Sequence, residues 1–227
     1  MALAALFPQE GADGDGTQSR KGAPKMLSLF FNQLMSGLLQ AVLFAFPPFL
    51  WWLLSARKRE PFLHWLGLKK PPADKRLWRA CLLVAAGFIL LSVVVLWLLR
   101  GVETATAAFA GAGFRALPAA LVYAFLTTAL SEEILFRGFL LKRLSARLGF
   151  AAGNLLQSLL FGLLHGAMLL PLAGVGRAAL AAAFTGAIGW CMGYVNERRA
   201  GGSILPGWAV HGLANTFSSV LAMFSIL

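Results

Sequence analysis

The chain has 227 residues, 59% of them hydrophobic and 13% charged, with a formal net charge of +11 and a mean hydropathy of +0.73. That balance excludes an ordinary soluble enzyme and describes an integral membrane protein of one or at most two domains. A basic chain can also signal a nucleic-acid partner, but the placement of its Lys and Arg residues accounts for the charge, and no nucleic-acid partner is expected.

Residues 8–25, PQEGADGDGTQSRKGAPK, are rich in Gly, Asp and Pro, so residues 1–25 read as a disordered N-terminal tail. The opening MALAALF is too short and lacks the basic flank of a secretory signal. Crossing a ~30 Å hydrocarbon core takes about 20 apolar residues. Windows of that kind fall near 27–54, 78–99, 117–136, 151–172, 178–196 and 203–226. The first holds Pro47-Pro48, which predicts a bend or a stop there. The expected fold is all-α, a polytopic transmembrane helix bundle of about six spans, or seven or eight if broken or interfacial helices count separately. Residues 26–115 would supply the N-terminal helices and a basic loop, and residues 116–227 a catalytic core.

Between the first two windows, PFLHWLGLKKPP sets Phe62, Leu63, Trp65 and Leu66 beside Lys69 and Lys70, a mix suited to the membrane–water interface, with His64 an interfacial histidine. Segment 57–79 carries eight Lys and Arg, 137–147 four and 198–199 two, whereas the alternate connections hold Arg100, Arg115 and Arg177 and the N-terminal tail adds Arg20, Lys21 and Lys25. This alternation places the basic loops in the cytoplasm and both termini on the far side. The Ala-, Leu- and Arg-rich composition and short loops fit a bacterial inner-membrane protein. Cys81 and Cys191 lie in apolar windows without CxxC spacing, so neither a disulfide framework nor a structural zinc site is expected.

Three polar sites interrupt the apolar windows. In SEEILFRGFL (131–140), Glu133 and Arg137 are four apart with the acid first, the favoured arrangement for an ion pair on one helix face. Glu132 is turned about 100° from that pair and needs another partner. A partly desolvated carboxylate is suited to take and return a proton. The bland alternative is that both acids sit wet at the end of a span. In FGLLHG, His165 lies one turn after Phe161, and in HGLANT, His211 and Asn215 share a face. Each of these could instead be an interhelical hydrogen bond. Measured from the basic ends of their spans, Glu132, His211 and His165 come out at depths of about 8, 13 and 20 Å. With tilt they can converge in a polar cavity opening toward the basic side. There Glu132, with His165, could activate a water, and His211 and Asn215 could hydrogen-bond the oxyanion of an attacked peptide carbonyl.

E-E-x-x-x-R (Glu132, Glu133, Arg137), F-x-x-x-H (Phe161, His165) and H-x-x-x-N (His211, Asn215) resemble, in order, the signature of the CAAX protease and bacteriocin-processing (CPBP or Abi) family of intramembrane endopeptidases. The resemblance covers roughly residues 117–217. It implies Glu132 as the base with His165 as its partner, His211 and Asn215 as the oxyanion pair, and Glu133, Arg137 and Phe161 in support. It also implies a membrane-anchored protein or peptide as substrate. Zinc held by Glu132, His165 and His211 is the alternative to a metal-free glutamic mechanism, although no HExxH occurs. Two further readings are a non-catalytic membrane binding or immunity protein of the same fold and a small proton-coupled transporter.

Overall fold

The computed structural model describes residues 22–102 and 104–226, with side chains from Met26 onward. Most of the expected tail, residues 1–21, lies outside the described residues. Every regular element among those described is helical. Helix α1 (Gly22–Ser55) leads through a short α2 (Phe62–Leu66) to α3 (Lys75–Leu98). Two 3-10 turns precede α4 (Leu117–Leu121), which continues without a break as π-helical stretches Val122–Leu130 and Glu133–Leu141 into α5 (Lys142–Tyr194). A last π turn, Val195–Arg199, leads to α6 (Leu205–Met223).

Met26–Ser55, Lys75–Leu98 and Gly113–Arg199 are long and apolar enough to cross a membrane. The last is 87 residues long, far beyond one crossing, and its backbone leaves the helical region at Gly149 (φ 78°, ψ 161°) and Gly174 (φ 77°, ψ 169°). Positive φ suits a residue without Cβ. The two glycines divide the run into rods 117–148, 150–173 and 175–199.

The second and third rods are antiparallel. Asn154 Nδ2 donates to the Trp190 carbonyl at 3.0 Å, a Cβ on Gly186 would lie 3.2 Å from the Ser158 carbonyl, and one on Gly166 would lie 3.1 Å from that of Ala178. Small residues let the backbones approach, the usual currency of helix packing in lipid. Asn154 and Gln157 are buried in this seam, where Gln157 Nε2 donates to the Gly189 carbonyl at 3.1 Å. Pro47 and Pro48 neither stop nor split α1, which runs on to Ser55; membrane helices tolerate proline when neighbouring groups take up the freed carbonyls.

Rod 117–148 lies at the centre. α1 packs on it where Gly37 faces Thr127 and Leu126, and α6 packs on it where Trp208 Nε1 donates to the Phe125 carbonyl at 2.8 Å. The seam between rods 150–173 and 175–199 generates a paired prediction. A Cβ on Gly162 would sit 2.3 Å from the Ala182 carbonyl oxygen, whereas one on Gly87 meets nothing within 4 Å. Gly162→Ala is expected to destabilise by about 1–3 kcal/mol, and Gly87→Ala to be neutral or stabilising by up to about 1 kcal/mol. Thermal unfolding of both variants in one detergent reads the opposite signs.

Candidate active site

Glu132 stands at the joint between the two π-helical stretches, where the chain hydrogen-bonds with a longer step than in an α-helix. Two side chains follow the same step: Ser131 Oγ donates to the Leu126 carbonyl at 3.3 Å, and Thr128 Oγ1 to that of Tyr123 at 3.2 Å. The two glutamates then diverge, as their expected separation around the helix requires.

Glu133 points into the packed interior. Its Oε1 lies 3.1 Å from Arg137 Nη1 and 3.4 Å from His211 Nδ1, and its Oε2 accepts from Asn196 Nδ2 at 3.1 Å. Glu133 and Arg137 are both fully buried, so the wet-end reading of these acids does not hold, and Arg137 is not a loop charge. Gly207 makes room for the arrangement. Its N–H donates to Asn196 Oδ1 at 3.0 Å, and a Cβ there would lie 2.8 Å from Glu133 Oε2.

Glu132 faces the two histidines. Its Oε2 is 3.9 Å from His165 Nε2 and 3.7 Å from His211 Nε2. The convergence removes the depth differences read along the separate spans. His165 Nδ1 lies 2.8 Å from the Phe161 carbonyl, which only accepts, so Nδ1 carries the hydrogen and a neutral ring presents the Nε2 lone pair toward Glu132. Four-residue spacing along one helix face makes this bond possible. Phe161 also packs edge-on against His165 at 4.5 Å and Phe136 at 4.8 Å, with the Arg137 guanidinium over its ring at 4.2 Å. Asn215 Nδ2 donates to Thr128 Oγ1 at 2.7 Å.

Glu132, His165, His211 and Asn215 line one cavity of about 130 Å³, room for several waters. Its other walls come from α3, with Phe88 tilted 5.7 Å from His211, and from rod 175–199 through Phe184, Thr185 and Ile188. His64 is remote from it, exposed and 2.9 Å from Glu60 Oε2.

Residues 114–217 match the family described as type II CAAX prenyl endopeptidase Rce1-like. This segment is an Rce1-like domain. It contains all seven residues singled out by motif, in agreement with the CAAX protease resemblance. A search of curated proteins and of solved structures returns no match. Three residues that contact the candidate site escaped the sequence reading: Asn196, Thr128 and Gly207. The available signal for Asn196 was an uncharged amide closing the apolar run GWCMGYVN.

Among the described residues no group of three or more His, Cys, Asp and Glu is disposed to hold a metal ion. Two ligands each ~2.0–2.1 Å from a tetrahedral zinc lie about 3.3–3.4 Å apart, closer than Glu132 Oε2 is to either histidine nitrogen.

Removing one partner of a buried ion pair strands the other charge, at a cost of about 3–5 kcal/mol. Arg137→Met is expected to lose stability on that scale, and the Glu133→Gln/Arg137→Met double variant to regain part of it. Thermal unfolding of wild type, single and double variants forms the cycle that checks this.

Proposed function

We propose that the Rce1-like domain is an intramembrane endopeptidase that hydrolyses a peptide bond in a membrane-anchored protein or peptide with a water activated by Glu132 and His165. One observation carries the reading: the Glu132 carboxylate faces the Nε2 atoms of two histidines from two other rods across a single buried cavity.

In this mechanism a water sits between Glu132 and His165, whose Nε2 accepts one of its hydrogens. Glu132 removes the other proton as the water oxygen bonds to the carbonyl carbon. The oxyanion is met by donors already in place. His211 has Nδ1 toward Glu133 and donates through Nε2 when its ring carries both protons, and Asn215, with one N–H given to Thr128, offers the other. Glu132 then returns its proton to the amide nitrogen, the C–N bond breaks, and an acid and an amine leave. No serine or cysteine nucleophile and no metal takes part.

The test is cleavage of a mass-tagged library of membrane-anchored peptides by the purified chain in detergent. Glu132→Gln is expected to lower the rate by about 10²–10⁴ without changing thermal unfolding, and a zinc chelator to leave wild-type cleavage unchanged. Loss of activity on chelation would instead support a zinc site built on Glu132, His165 and His211. A folded wild type that cuts no library member would move the assignment to a binding or transport protein. For Asn215→Ala, removal of one oxyanion donor is expected to cost about 10²–10³ in kcat, read in the same assay.

A further inference from the structure

Tyr123 is a buried polar side chain that the hydrolytic cycle leaves unused. Only 2% of its surface is exposed. The ring packs in a cluster with Leu29, Phe109, Ala120 and Met223, with Phe109 edge-on at 5.6 Å. Its hydroxyl makes no hydrogen bond to a described residue. A buried phenol ordinarily finds a partner, and phenylalanine would fill the same space without stripping water from an O–H. The partner must then come from the cavity, whose wall Tyr123 shares with Glu132, His165, His211 and Asn215.

The π-helical stretch puts the phenol on that wall. Residues nine apart on an α-helix face opposite ways, because nine steps of about 100° end half a turn from the start. The wider step brings Tyr123 and Glu132 into one column instead. Thr128 Oγ1 bonds back five residues to the Tyr123 carbonyl at 3.2 Å, Glu132 follows Thr128 by four, and Asn215 Nδ2 meets Thr128 Oγ1 at 2.7 Å in the middle. Along the rod Tyr123 and Glu132 are at most about 14 Å apart at ~1.5 Å per residue, the reach of about four residues of extended chain.

Neighbouring hydroxyls on the cavity wall are engaged. Ser218 Oγ donates to the Ala214 carbonyl at 3.2 Å, and the Thr104 and Thr106 hydroxyls bond to each other at 3.0 Å. The Tyr123 O–H is an uncommitted donor, and the acceptor a peptide brings at every residue is its main-chain carbonyl.

We propose that the Tyr123 hydroxyl donates to a main-chain carbonyl of the bound peptide about four residues from the scissile bond, and that this contact fixes which bond lies over Glu132. The assignment rests on the endopeptidase reading.

Tyr123→Phe removes the donor and keeps the ring. On the library peptide that wild type cleaves fastest, KM is expected to rise about 2–10-fold, the worth of one hydrogen bond, with kcat nearly unchanged. Cuts at neighbouring bonds are expected to appear among the product masses. Thermal unfolding is expected at the wild-type temperature or above, because no protein partner is stranded. The chain has two tyrosines, and Tyr194 is exposed with its hydroxyl accepting from Arg199 Nη2 at 2.9 Å. In 3-fluorotyrosine-labelled Glu132→Gln protein, the same peptide is expected to move the fluorine resonance that Tyr123→Phe removes and to leave the other in place. Wild-type KM and cut position in Tyr123→Phe, a lowered unfolding temperature, or an unmoved resonance would each overturn the proposal while leaving the endopeptidase reading intact. A wild type that cuts no peptide would overturn that reading, and this assignment with it.

Discussion

The bundle is organised around the buried Glu133–Arg137 ion pair. A charge in this interior must be matched, because unpaired ions are expensive in low dielectric, and here matching uses groups from four rods. Both ions come from rod 117–148, Asn196 from rod 175–199, His211 and the clearance at Gly207 from α6, and the ring beneath the guanidinium from rod 150–173. With Glu133 fully engaged, the adjacent Glu132 is turned toward the cavity. Adjacent acids thus divide their work: one holds the rods in register, and the other faces the space where a substrate and a water would meet.

Phe161 extends that organisation. It is a fully apolar side chain, yet it touches a guanidinium, another phenyl ring and an imidazole, while its carbonyl fixes the His165 tautomer. An aromatic ring suits the position because its face accepts the cation and its edge accommodates the neighbouring rings. The orientation of His165 is therefore coupled to the ion pair through packing as well as through the backbone.

Much of this was legible in the sequence because membrane helices are long, apolar and regular. The window positions, the i,i+4 pairing of Glu133 with Arg137, the opposite aim of Glu132 and the shared face of Phe161 and His165 all follow from helical periodicity. What periodicity cannot show is contact between rods. Asn196 looked like the last residue of a span, and only the approach of α6 at Gly207 makes it a partner of Glu133. The π-helical stretches change the step of the chain without any residue type that announces them, and the rod runs on to residue 148 rather than ending near 136, so depths counted from the window ends separated groups that are in fact neighbours.

The turn at Gly174 has a mechanical consequence. Because the chain reverses there without a loop, and Gly162, Gly166 and Gly186 bring the two backbones together, rods 150–173 and 175–199 are closely joined. The wall carrying His165 and the facing wall of Phe184, Thr185 and Ile188 thus move as one block. α3 is differently attached, joined to its neighbours by the longer connections 56–74 and 99–116 and presenting Val93, Val94 and Trp97 to the outside. Any widening of the cavity is then a displacement of α3 against a stationary block, which makes this helix the door of the chamber and the hairpin its frame.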